Sequence, residues 1–110
     1  MKDTTGKLRR RRRTLIARLR SADLRVMRGS LIERYKKCGK AGCRCADGRG
    51  HGPKYYLSVS MPGRRPEMVY VPQDYLEEVK EHVENLAVIR GLLEELCELN
   101  RELLKRRESL

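Results

Sequence analysis

Three cysteines and one histidine crowd into a short stretch of a 110-residue chain, where CGKAGCRCADGRGHGP places Cys38, Cys43, Cys45 and His51 as Cys-x4-Cys-x-Cys-x5-His. Four soft or borderline donors are what a tetrahedral structural Zn²⁺ requires, and a shell closed by all four leaves no position for a substrate water. Glycines between the ligands, such as Gly42 and Gly50, let the loop turn its side chains toward one point without a Cβ clash. Three thiolates and a neutral imidazole would leave the site with an excess negative charge, and the neighbouring Lys37, Lys40 and Arg44 favour the ionised thiolates. Asp47 is the alternative to His51 as fourth ligand, and unbonded thiols in a glycine-rich loop are the alternative to any metal. A redox dithiol fits poorly, because Cys43 and Cys45 lack the Cys-x-x-Cys spacing. Cys97 lies far along the chain in a helical stripe and reads as a packed thiol.

A metal cross-link suits the composition. Only 39% of residues are hydrophobic, 37% are charged, and Trp and Phe are absent, so burial alone leaves a small core. The length fits a single domain with helical extensions. Charge is unevenly spread. Residues 1–72 carry 20 Lys and Arg against 5 Asp and Glu, a net of +15, whereas residues 73–110 carry 6 against 10, a net of −4. Such asymmetry points to a polyanion-binding part joined to an acidic, solvated helix. No apolar run is long enough for a membrane span, and the basic start lacks the apolar run of a signal peptide. The expected location is the cytoplasm, on the nucleoid if the polyanion is DNA. In a reducing compartment, clustered cysteines read as metal ligands before disulfides.

Along the chain, a disordered tail is expected over 1–7. Leu8, Leu15, Leu19, Ala22 and Val26 recur at helical spacing and predict a basic helix over 8–28, closed by Gly29. SLIERYKK, residues 30–37, alternates as a strand, as does Tyr55 to Ser60, and Met68 to Val71 is rich in β-formers. Pro62 and Gly63 fit the centre of a type II turn, and Pro66 should break regular pairing near it. Residues 29–72 thus form a zinc-knuckle, three-stranded antiparallel sheet. Over 73–110 a long amphipathic helix is expected, capped by Asp74 and with Glu77 and Glu78 in its first turn. A heptad sets Val79, Leu86, Leu93 and Asn100 at one core position and His82, Ile89, Leu96, Leu103 and Leu110 at the other. The fold class is α+β in the order α-β-β-β-α, one domain overall. A helix of about 35 residues is roughly 50 Å long, and its distal half outreaches a sheet some 15 Å wide. That half should pair with a second copy, Asn100 facing Asn100 in a homodimeric coiled coil, or fold back in a hairpin with the first helix, Arg18 and Arg25 facing Glu94 or Glu98.

GSLIERYKKCGKAGCRCADGRGHGPKYYLSV followed by RPEMVYVP resembles an uncharacterised family of short prokaryotic proteins in which a CGKxxCRC block and an HGPyYYL block precede a YVP block. The resemblance runs from Gly29 to the C-terminal helix. It implies an accessory protein encoded in or near mobile elements and transposase genes, with no established activity. Cys38, Cys43, Cys45 and His51 match the family's motif. Ala41 stands where Pro is frequent and Lys54 where an aromatic is frequent, and neither change removes a ligand.

The run Arg9, Arg10, Arg11, Arg12 and Arg13, continued by Arg18, Arg20, Arg25 and Arg28, suits phosphate contacts that give affinity without sequence choice. Lys40 and Arg44 add charge at the knuckle. Base reading would fall to Arg34, Lys36, Tyr56, Arg64 and Arg65, because a sheet can enter a groove and Tyr can stack on unpaired bases. For Tyr55, Tyr56 and Tyr70 the core is the first expectation, since few other large side chains can fill it. His82 lacks a metallohydrolase context, and neither a Gly-x-Ser-x-Gly elbow nor a phosphate loop occurs. The chain is expected to be a non-catalytic, zinc-stabilised nucleic-acid-binding accessory or regulatory protein, with DNA first and RNA as the variant favoured if the three tyrosines are exposed. A protein-interaction adaptor acting through the C-terminal helix is the rival from another class.

Overall fold

The computed structural model describes residues 2–36 and 51–110, apart from the side chains of Lys36 and His51. Helix α1 spans Thr5–Arg20, strands β1, β2 and β3 span Ser30–Lys36, His51–Met61 and Arg64–Val71, a 3-10 turn covers Gln73–Tyr75, and helix α2 spans Leu76–Lys105. The expected α-β-β-β-α order is therefore the one found, with β1-β2-β3 in one antiparallel sheet. The chain divides into two compact units, Met1–Val26 with Glu84–Leu110, and Met27–Val83.

In the helical unit, α1 starts earlier and stops sooner than its apolar spacing predicts. Thr4 is its N-cap, and the Thr4 hydroxyl accepts a hydrogen bond from the Lys7 N–H at 3.2 Å, so the helix begins within the expected tail. It ends at Arg20 because Ser21 and Asp23 offer the backbone other partners. The Ser21 hydroxyl donates to the carbonyls of Ala17 and Arg18, and Asp23 accepts from the Arg25 N–H and guanidinium. Short polar side chains of this kind compete with continued helix. Leu8 and Leu15 then pack against Leu99 and Leu103 of α2, with Leu92 and Leu96 at the margin. The distal half of α2 thus meets the first helix, as the hairpin alternative expects. Helix α2 closes through Arg107, at φ 59°, with Glu108 N–H donating to the Leu103 carbonyl and Arg107 N–H to that of Leu104. These are the two bonds of a Schellman cap.

The sheet unit has a second small core of Leu57, Val71, Leu76 and Val79, flanked by Met27, Leu31, Tyr55, Val59 and Val83. Asp74 does not cap α2. It lies in the 3-10 turn, which follows Pro72 without a side-chain cap, while Glu77 and Glu78 occupy the first turn of α2 as expected. Met61 pairs with Arg64 across Pro62 and Gly63, and Gly63 has φ 65°, the sign a type II turn needs at its third position. Pro66 lies inside β3, and the register shift falls between Val59 and Met61 on the partner strand. β3 is an edge strand, where a missing N–H can face solvent.

Gly29 closes no helix. It precedes β1 at φ 144°, and a Cβ there would stand 2.8 Å from Leu57 Cδ1 and 2.9 Å from the Ser58 carbonyl oxygen. Arg28 beside it donates to the Ser60 carbonyl at 2.7 Å, fixing this approach to β2. Gly29→Ala should therefore lower unfolding stability by about 2 kcal/mol or more, measured by denaturant titration. Gly63→Ala, which meets nothing within 4 Å, strains only its own backbone and should cost less.

Candidate nucleic-acid interface

The predicted metal ligands Cys38, Cys43 and Cys45, together with Lys37, Lys40 and Arg44, lie outside the described residues, as do the side chains of His51 and Lys36. At the backbone, Lys36 and His51 are paired across β1 and β2. Among the described residues, no group of three or more His, Cys, Asp or Glu is placed to hold a metal ion, and no helix is long and apolar enough to cross a membrane.

The arginine run does not act as one block. With Leu8 and Leu15 buried, the helical repeat turns Arg9, Arg11 and Arg12 toward partners within the same unit. Arg9 pairs with Glu108 at 3.4 Å and also reaches the Ser109 hydroxyl. Arg11 grips both oxygens of Glu95 at 2.7 and 3.0 Å, and Arg12 donates to the Leu110 carbonyl at 2.9 Å. Lys7, Arg10, Arg13 and Arg20 are exposed, share the opposite face, and among the described residues meet no carboxylate in an ion pair. They span about 20 Å of helix. Arg18, also exposed, helps hold the Glu95 carboxylate. Arg25 and Arg28 lie beyond the helix, engaged by Asp23 and Ser60.

The sheet presents a second, chemically different surface. Tyr55, Leu57 and Val59 face the core, so their neighbours in β2 face the other side. The outer face joins Arg34 of β1, Lys54, Tyr56 and Ser58 of β2, and Met68 and Tyr70 of β3, since Arg34 pairs with Lys54 and Tyr56 with Tyr70. The expectation that all three tyrosines fill the core therefore holds only for Tyr55. Tyr70 is 53% exposed and meets Tyr56 edge-on, with ring centroids 5.7 Å apart. The Arg34 guanidinium lies 5.6 Å from the Tyr56 ring centre. Arg34, Tyr35, Lys54 and Tyr56 line a concavity of about 360 Å³. Arg64 and Arg65 are exposed on β3. Lys54 and Tyr70 are the members that sequence reasoning missed. The alternation Tyr56, Ser58, Ser60 marks an outer row, but only strand pairing sets Tyr70 beside it.

Fold and surfaces together define a small α+β protein with a cation-bearing helix and a tyrosine-bearing sheet. It belongs to the family described as a domain of unknown function (DUF6788), whose profile matches residues 5–81. Neither the curated proteins nor the solved structures contain a match.

The Arg11 contact carries a pH signature. Its hydrogen bonds, assisted by its charge and that of Arg18, hold the Glu95 carboxyl below the usual carboxylate range. A carboxylate depressed in the folded state contributes stability above its unfolded pKa and loses it as pH falls through the folded value. Acid titration of the melting temperature should thus be shallower for Glu95→Gln than for the wild type, with the two converging at low pH. The effect is small because both partners are half-exposed and screened. Leu15→Ala, at the fully buried centre of the same unit, should cost about 2–5 kcal/mol by denaturant unfolding.

Proposed function

We propose that this protein is a non-catalytic nucleic-acid-binding protein, acting on DNA, that grips phosphates with the outward stripe of α1. The observation that carries this is the division of the arginine run. Arg9, Arg11 and Arg12 are held within the helical unit, whereas Lys7, Arg10, Arg13 and Arg20 are exposed without a paired carboxylate among the described residues. Cations left uncompensated along about 20 Å of helix suit a regular polyanion, because each phosphate neutralised releases counterions. The role proposed is accessory or regulatory, in keeping with the resemblance to mobile-element accessory proteins, and would be exercised in the cytoplasm on the nucleoid.

A structural Zn²⁺ belongs to the same proposal. The Lys36–His51 pairing brings together the two ends of the stretch whose sequence holds Cys38, Cys43 and Cys45. The donor chemistry fits a tetrahedral site, which would add stability to a sheet whose own core is small. The purified chain should contain about one zinc, Cys43→Ser should remove it, and Cys97→Ser should leave it in place by metal analysis. A metal-free, fully folded chain would end the zinc proposal.

A second copy of the chain would have to dock on the leucines of α2 outside its contact with α1, of which Leu93 and Leu104 are 46% and 54% exposed. Sedimentation at tens of micromolar tests this, and Leu93→Lys should then shift a dimer to monomer.

For binding itself, changing Arg10, Arg13 and Arg20 together to Gln should weaken duplex DNA of any sequence and lower the slope of log K against log salt by roughly 2 to 3. Arg11→Gln should change that slope little, since Arg11 is engaged by Glu95. A wild type that shifts no DNA at physiological salt would favour the adaptor instead.

A further inference from the structure

We infer that the outer face of the sheet is a stacking platform for the unpaired bases of single-stranded DNA, with Tyr56 and Tyr70 as the stacking surfaces and Arg34 and Lys54 as the phosphate contacts. The inference rests on the nucleic-acid reading above and gives that activity its substrate class.

Two cations face each other directly across β1 and β2, since Arg34 and Lys54 are register partners. Like charges at such a position destabilise a sheet. Among the described residues no carboxylate forms an ion pair with either: Glu33, the register partner of Tyr55, belongs to the opposite row, and its carboxylate accepts from the Tyr35 hydroxyl at 2.6 Å. An anion placed between Arg34 and Lys54 removes that repulsion. Next along β2 is Tyr56, and across from it Tyr70, so anion contacts and aromatic rings are adjacent on one surface. A free inorganic anion would use the two cations and leave the rings idle. A strand of nucleotides uses both, repeating a phosphate and a π-face along its length.

The rings are arranged to receive a base rather than fill a core. Tyr70 is more than half exposed, its edge-on contact with Tyr56 sets the two rings at 63°, and Arg34 offers a guanidinium plane beside Tyr56 that can itself stack. The 360 Å³ concavity at Arg34, Tyr35, Lys54 and Tyr56 gives a base somewhere to sit. A duplex cannot use this surface in the same way, since its π-faces are covered by stacking. Charge alone would favour the duplex, whose phosphate density is higher, so preference for a single strand separates the platform from simple electrostatics.

The chain has no Trp and five Tyr, so its intrinsic emission reports tyrosine stacking directly. Titrating the full chain with an oligothymidylate of about 12 nucleotides should quench tyrosine fluorescence, and a duplex of equal length should quench it much less. Tyr56→Ala with Tyr70→Ala should weaken oligothymidylate binding by about tenfold or more and leave duplex binding near wild type, while the paired Phe substitutions should restore single-strand binding. Tyr70→Ala alone, at the more exposed ring, keeps the test available if the double variant fails to fold. Tyrosine variants that bind oligothymidylate like the wild type would overturn the platform, and so would an unquenched complex. An oligouridylate bound more tightly would overturn the DNA assignment. The Arg10, Arg13, Arg20 variant reports the α1 reading separately, because it should weaken both probes. If it does and the tyrosine variants do not, only the platform falls, and a wild type that binds neither probe overturns both.

Discussion

Four leucines decide which arginines of this protein can meet a ligand. Leu8 and Leu15 on α1 bury themselves against Leu99 and Leu103 of α2, and that contact fixes the rotation of a helix that would otherwise present positive charge on every side. Successive arginines on one helix repel each other, and the repulsion must be met by counter-charge or solvent. The leucine contact brings the acidic side of α2 within reach of Arg11 and the chain beyond it within reach of Arg9 and Arg12. Among the described residues, the opposite face receives no paired carboxylate. Burial of a few apolar side chains, each contributing about 1.5–3 kcal/mol, thus sorts one run of identical residues into structural and available sets.

Element order was legible because the local signals agree with one another. The alternation in Ser30–Lys36 and in Tyr55 to Ser60, the Pro62-Gly63 turn and the acidic opening of α2 each point to the structure found. Spacing misleads where local hydrogen bonding overrides it. Ala22, Val26 and Met27 continue the helical period of α1, yet Ser21 and Asp23 have already turned the backbone away. Gly29 looks like a helix stop, but its positive φ serves a close approach to Leu57 and Ser58. Of the candidate site, the presence of a basic face was legible and its membership was not. Charge type is written in the sequence, whereas the partners that engage Arg9, Arg11 and Arg12 come from more than 80 residues away. The cysteine cluster lies outside the described residues, and its zinc proposal rests on donor number and spacing in the sequence.

The heptad of α2 shows why a repeat does not by itself name its partner. The contact with α1 follows Leu92, Leu96, Leu99 and Leu103, a spacing of four, three and four that serves a helix pair as well as a coiled coil of two copies. It lies to one side of the seam that would pair Leu93 with Leu93 and Asn100 with Asn100. The Asn100 side-chain oxygen is buried without a hydrogen-bond partner beside a concavity that Arg12, Ile16, Leu96 and Leu110 share. An oxygen enclosed in this way is not free to pair across a dimer unless the α1 contact loosens.

The two surfaces differ in what they could ask of a nucleic acid. The α1 stripe offers long, flexible cations with Thr14 and Ala17 between them, and no amide or aromatic side chain that could read a base edge or stack. Such a surface can supply affinity but not choice. The sheet offers the opposite balance, with two cations and two rings set side by side by strand pairing. Arg34 lies beside Tyr56 and Tyr56 beside Tyr70, and the rings, with only two side-chain torsions each, lose less rotamer freedom on contact than Arg10 and Arg13 do. In the function proposed, strength would follow the number of α1 contacts and discrimination between paired and unpaired strands would follow the geometry of the sheet.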